Sequence, residues 1–317
     1  MKKHSPEYFV SEIKRLKEEK NAIILAHFYQ TGDIQDIADF VGDSLALSQK
    51  AASNDAEIIL FAGVKFMAET AKILAPEKKV LLPDINAGCS LADSCKADDF
   101  EKFIQENPGR TVVSYVNTTA EIKALSDIIC TSSNAVQIVE SLPPEEKIIF
   151  APDRNLGNYV LNKTGRDIVI WNGTCHVHEE FSLEAILELK KENPDAKILV
   201  HPECELPVRM VADCIGSTNA LLQFTMKDKG NCYIIATETG IIHQMKKENP
   251  EKIFIPAPPR DSTCGCSECN FMKLITLEKI YNCLKNEKPE ILVNKKILLK
   301  AQKPIKRMIE ISQKIGL

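Results

Sequence analysis

Three cysteines, Cys89, Cys175 and Cys269, stand 86 and 94 residues apart, each after an apolar run and before a helix-like one. Thiolates are soft ligands, so three of them gathered at one place could hold zinc or an iron–sulfur cluster. Each is preceded by two polar residues at matched spacing. His27 and Ser44, Tyr115 and Ser132, and His201 and Thr218 are all 17 residues apart, with the cysteine 43 to 51 residues further on. Equivalent positions recur every 86 to 94 residues, the size of a small domain rather than of a solenoid step. Three such domains about one axis bring three thiols and three sets of polar groups to a central site.

His27, Tyr115 with Asn117, and His201 with Glu203 end apolar runs. Open parallel sheets take their ligands beyond the carboxyl ends of the strands, so these side chains are placed to meet one. Ser44, Ser132 and Thr218 fall at expected helix starts, where a hydroxyl and unpaired backbone N–H groups hold an anion. One alone would be a helix cap; three in register describe a receptor for a small molecule with several negative groups. For the metal, zinc could take His176 or His178 as a fourth ligand. A cubane cluster would instead keep one iron without a protein ligand, free to act as a Lewis acid. The run Cys264, Cys266, Cys269 lacks the second cysteine pair of a zinc knuckle, and Cys269 is its member in register with the repeat. Cys95, Cys130, Cys204, Cys214, Cys232 and Cys283 have no threefold relation and read mostly as buried free thiols.

The elements that must position these residues alternate between strand and helix. Strands are expected at 22–27, 57–61 and 79–82, at 111–116, 147–150 and 167–171, and at 197–200, 231–236 and 252–255. Helices are expected at 6–20, 33–41, 44–52, 65–74, 98–106, 181–190 and 274–284, with a basic helical tail over 294–315 packing back on the body. Apolar strands separated by helices imply parallel sheets covered on both faces. The fold class is α/β: three similar three-layer α/β/α domains in pseudo-threefold arrangement around a central active site. Their expected bounds are 1–109, 110–195 and 196–289, with the tail at 290–317.

The formal charge of -4, with 44% hydrophobic and 26% charged residues, suits an ordinary enzyme and offers no attraction to nucleic acid or an anionic membrane. The first twenty residues are too charged for a signal-peptide apolar region, and no stretch reaches 18 apolar residues, so a soluble cytoplasmic protein is expected. Eleven cysteines in that compartment point to metal binding or reactivity rather than disulfides.

Longer motifs add a resemblance. AHFYQ at 26–30, VGDSLALS at 41–48, PDINAGCSLAD at 83–93, SYVNTTAEIKALSD at 114–127, WNGTCHVHEEF at 171–181, HPEC at 201–204 and CNFMKLITLEKI at 269–280 together closely resemble the quinolinate synthase family of bacterial and archaeal NAD biosynthesis. The resemblance implies a 4Fe–4S cluster held by Cys89, Cys175 and Cys269 and open at one iron. It implies a reaction joining iminoaspartate to dihydroxyacetone phosphate, with release of phosphate and two waters, to form quinolinate. The family's site positions fall on His27, Tyr29, Ser44, Tyr115, Asn117, Ser132, His178, His201, Glu203 and Thr218. Tyr29, His27, Glu203, Tyr115 and His178 are the expected acid–base and orienting groups. An iminoaspartate-producing enzyme in transient contact is the implied partner. At the third cysteine some members carry CxxCxxC where this chain has CxCxxC, so no disulfide switch is carried over.

Overall fold

The computed structural model describes residues 4–260 and 267–317. Among these residues, twelve strands form three four-stranded sheets, and every pairing in them is parallel. The first sheet holds β1 (Ala22–His27), β2 (Phe40–Gly42), β3 (Ile58–Ala62) and β4 (Lys79–Leu81). The second holds β5 (Thr111–Tyr115), β6 (Ile128–Cys130), β7 (Ile148–Ala151) and β8 (Ile168–Ile170). The third holds β9 (Lys197–Val200), β10 (Cys214–Ile215), β11 (Cys232–Ala236) and β12 (Ile253–Pro256). Their orders are β2-β1-β3-β4, β6-β5-β7-β8 and β10-β9-β11-β12, one topology three times. In each, the chain leaves the first strand to one side and returns to the other. The end of that first strand is therefore a switch point, where an open sheet leaves a crevice for a ligand.

The second strand of each sheet escaped sequence reading. Residues 33–41 read as helix, whereas the helix Gly32–Ile37 stops and Phe40–Gly42 forms an edge strand paired with Leu25 to His27. Strands of two or three residues are too short to show a period of two. What fixes them is a side chain. Asp39, Asp127 and Asp213 each accept the backbone N–H of the residue 15 positions earlier, Ile24, Val112 and Ile198, at 2.7 to 2.8 Å. Each also donates its own N–H to the carbonyl of that residue. The aspartate thus clamps the edge strand onto the first strand and sets where the following Ser or Thr emerges.

The strands are apolar because helices cover them: all five residues of β3 and all four of β7 are buried. The first two sheets share one continuous core, closed by the helix Lys295–Lys314, which buries Ala301, Ile305 and Met308 against the helix Ala120–Leu125 and β6. The third sheet has separate clusters, around Tyr233 and Ile235 and around Ile198 and Ile234. Among the described residues, no helix is long and apolar enough to cross a membrane.

Candidate active site

The strand ends of the three sheets meet at a cavity with about 580 Å³ of empty space. Cys89, Cys175 and Cys269 line it, as do His27, Tyr115 and His201 and the hydroxyl residues Ser44, Ser132 and Thr218. Tyr29, Asn117, His178 and Glu203 complete the polar wall, and Val64, Phe66, Met67, Val177 and Met272 supply the apolar part. Every site residue nominated from sequence therefore faces one space.

Local backbone geometry sets the histidines. The N–H of Tyr29 donates to His27 Nδ1 at 3.2 Å, and the N–H of Glu203 donates to His201 Nδ1 at 3.3 Å. With Nδ1 accepting, each neutral ring carries its proton on Nε2. Burial pushes both imidazoles down to about 3, so they are neutral donors at ordinary pH. In the second sheet the equivalent place holds Tyr115, whose hydroxyl donates to Glu203 Oε1 at 2.6 Å. Burial and the Glu203 charge raise the phenols of Tyr29 and Tyr115 well above the ordinary tyrosine value.

Glu203 is only 2% exposed. Burial opposes its ionisation, but His178, then His201 and the Tyr115 hydroxyl, outweigh it and hold the carboxyl below its ordinary range. His178 Nδ1 lies 3.2 Å from Glu203 Oε2 without the alignment of a hydrogen bond, since that oxygen has no hydrogen-bond partner. The same nitrogen is 3.3 Å from Cys175 Sγ, and the His178 and His201 rings stack at 4.5 Å. Asn117 Oδ1 is a second buried acceptor without a partner. An unpaired acceptor facing a cavity is a place for a ligand's N–H or O–H.

Ser44 and Thr218 are the first residues of the helices Ser44–Ala52 and Thr218–Lys227, but they do not cap them. Asp43 and Ser217 do, accepting the N–H groups of Ala46 and Ala220. Neither hydroxyl is therefore spent on capping, and Thr218 Oγ1 donates to the Tyr29 hydroxyl at 3.2 Å. Ser132 departs from the expected pattern: it sits in a turn, and the helix Ala135–Glu140 begins three residues later. Asn134 shapes that turn by accepting the Thr131 N–H at 2.6 Å. No lysine or arginine lines the cavity among the described residues.

The three cysteines share one local arrangement. Cys89 and Cys175 immediately precede the one-turn helices Ser90–Asp93 and His176–Glu179, and Cys269 precedes the 3-10 turn Met272–Leu274. Burial pushes the Cys89 thiol up to about 12 and raises Cys175 and Cys269, while N–H groups of Ala92, His178 and Met272, each three residues on, act the other way by favouring thiolate. Among the described residues, the group able to hold a metal ion is Cys175, His178 and Glu203, whose ligand atoms lie within 4.8 Å of one another. That set differs from the three cysteines expected; it keeps Cys175 and replaces Cys89 and Cys269 by His178 and Glu203. Cys264 and Cys266 lie outside the described residues. The other six cysteines are free thiols, with Cys95, Cys130, Cys204 and Cys283 buried.

Sequence reasoning missed Thr237, Glu238, Gly240 and Lys273. Buried Glu238 accepts the Cys269 N–H at 3.1 Å and the Gly240 N–H at 2.7 Å, and pairs with Lys273 Nζ at 2.8 Å. Lys273 Nζ also donates to the Tyr29 carbonyl at 2.8 Å, so this pair ties the third cysteine to the end of β1. These residues have no counterparts in the other repeats, so threefold matching passed over them. The signal available was the polar run Thr-Glu-Thr-Gly directly after an apolar strand.

Fold and site define a class, an enzyme of three α/β units whose thiols, hydroxyls and buried carboxylates converge on a central chamber. The chain matches a family model described as Quinolinate synthetase A protein over residues 11–310. It is 58% identical over 307 residues to quinolinate synthase of Microcystis aeruginosa, covering 97% of this chain and 96% of the relative. It is 58% identical to that of Thermosynechococcus vestitus, over 96% of this chain and 95% of the relative, and 55% identical to that of Chloroherpeton thalassium, over 95% and 94%. The chain belongs to the quinolinate synthase family.

Proposed function

We propose that this chain condenses iminoaspartate with dihydroxyacetone phosphate to quinolinate, releasing phosphate and two waters, in the cytoplasm. The observation that carries the reading is the convergence of three thiols, the hydroxyls of Ser44, Ser132 and Thr218, and the buried Glu203 carboxylate on a single cavity. In this reading the domains are 1–109, 110–195 and 196–289, with 290–317 as a tail, and an iminoaspartate-producing enzyme supplies one substrate by transient contact.

Cys89, Cys175 and Cys269 are the residues that would hold a 4Fe–4S cluster. Three soft donors facing one space, each with a backbone N–H directed at its sulfur, fit such a group. When bound, the cluster supplies an iron open to substrate oxygen, which acts as a Lewis acid. All other steps belong to the chain. Ser44, Ser132 and Thr218 seat the two carboxylates and the phosphate by hydroxyl and backbone donors. His27 and His201, neutral and protonated on Nε2, donate hydrogen bonds to carbonyl or carboxylate oxygens, and Asn117 Oδ1 accepts from the imine nitrogen. Glu203 is the base: it removes the carbon-bound protons that isomerisation and ring closure require. Tyr29 and Tyr115, neutral in this site, return protons to oxygen, and Tyr115 also orients Glu203 through its 2.6 Å bond. His178 stands between Glu203 and Cys175 and links the acid–base side of the cavity to the thiol side.

A second reading rests on the tighter group at Cys175, His178 and Glu203, which suits a single metal ion. Metal and acid-labile sulfide analysis after anaerobic loading separates the two. Iron with sulfide supports the cluster, and metal without sulfide supports the single ion. Quinolinate formed from the two substrates tests the activity itself.

A further inference from the structure

Thr237 immediately follows β11, is fully buried and stands outside the cavity wall. Its Oγ1 lies 2.8 Å from the Tyr29 hydroxyl and 3.0 Å from His178 Nε2. It therefore joins a residue that follows the first sheet's β1 to one that follows the second sheet's β8, from a position just after the third sheet's β11. Each hydroxyl has one proton to give, so the directions can be counted. Thr218 donates to the Tyr29 oxygen at 3.2 Å, leaving the Tyr29 proton for Thr237. With the Tyr29 proton on Thr237, the Thr237 proton goes to His178 Nε2, 3.0 Å away, which is then the bare nitrogen of that ring. In that arrangement the proton of a neutral His178 ring is on Nδ1, 3.2 Å from Glu203 Oε2 and 3.3 Å from Cys175 Sγ. That tautomer is opposite to the one at His27 and His201, whose Nδ1 atoms accept backbone N–H groups.

We propose that Thr237 is a positioning residue: its hydroxyl fixes the Nδ1–H tautomer of His178 toward Glu203 and sets the direction of the Tyr29 O–H. The inference rests on the reading of Tyr29, His178 and Glu203 as acid–base machinery given above. It adds a residue that does not line the cavity. A threonine following a buried strand could instead serve by shape alone, and two substitutions separate the roles. Thr237→Val keeps the branched shape and loses the hydroxyl; Thr237→Ser keeps the hydroxyl and loses the methyl.

The test uses the full chain, cluster-free, with ¹⁵N-labelled histidine side chains and long-range ¹H–¹⁵N spectra at neutral pH, the His178 signals being identified by their loss in His178→Gln. Wild type and Thr237→Ser should show His178 protonated on Nδ1 alone, whereas Thr237→Val should show the other tautomer or a mixture. In the loaded enzyme, Thr237→Val should lower kcat about 10- to 100-fold with KM nearly unchanged, the range typical of a supporting hydrogen bond behind an active site, and Thr237→Ser should restore most of it. A wild-type ring protonated on Nε2 or on both nitrogens, a Thr237→Val protein with wild-type tautomer and kcat, or a Thr237→Ser protein as impaired as Thr237→Val would overturn the proposal. If loaded wild type makes no quinolinate, the functional reading falls, and the tautomer comparison still decides the role of Thr237.

Discussion

The Tyr115 hydroxyl donates a 2.6 Å hydrogen bond to Glu203 Oε1 across 88 residues of sequence, from the end of β5 to the turn after β9. That bond and the His178 ring at the other oxygen hold a charged carboxylate where water hardly reaches. In the proposed reading this carboxylate, whose Oε2 has no hydrogen-bond partner, takes a proton from carbon. Replacing Glu203 by Gln keeps the shape and removes the basicity. Anaerobic turnover of Glu203→Gln should fall about 10²- to 10⁴-fold at unchanged iron content. Turnover above a tenth of wild type would remove the base role.

Stability should depend on the two strand-end histidines in a definite direction. Their folded values of about 3 lie below the roughly 6.5 of a free imidazole, so between these limits the unfolded chain binds more protons. Stability is then complete above about pH 6.5 and declines as pH falls toward 3, by up to about 1.4 kcal/mol per pH unit for each histidine. Urea melts at pH 7 and pH 5 should show the decline, and His27→Gln with His201→Gln should flatten it. An equal slope in the double variant would contradict neutral burial.

Gly240 packs against backbone where a side chain has no room. A Cβ there would lie 2.7 Å from the Tyr29 carbonyl carbon and 2.8 Å from both the Gln30 oxygen and Glu238 Oε2. Gly240→Ala should cost about 1–3 kcal/mol in a thermal or urea melt, and it should lower turnover by shifting Tyr29. At Gly88 the nearest atom to an added Cβ is 3.6 Å away, so Gly88→Ala should stay within about 0.5 kcal/mol of wild type. Equal tolerance at both positions would show that the Tyr29 turn yields freely.

What was legible in the sequence was whatever stayed in phase with the repeat. Long apolar strands such as β3 and β7 show themselves by composition, and the cavity residues by their common spacing. The edge strands were lost because Phe40–Gly42 and its counterparts are too short for a pattern, although Asp39, Asp127 and Asp213, each 12 residues after a strand-end residue, mark them. Ser44 and Thr218 look like caps because one residue separates a cap from a first helical position; only the bonds of Asp43 and Ser217 distinguish them. Thr237, Glu238 and Lys273 were hidden because they break the threefold relation. An asymmetric reaction in a pseudo-symmetric shell needs such residues.

The central claim is tested most directly by incubating anaerobically loaded protein with iminoaspartate and dihydroxyacetone phosphate and measuring quinolinate by chromatography, with Cys89→Ala, Cys175→Ala and Cys269→Ala alongside. The account predicts quinolinate from wild type only, with iron and acid-labile sulfide in equal amounts in wild type and reduced in all three variants. No quinolinate from loaded wild type, or a full cluster with full turnover in any one variant, would contradict it.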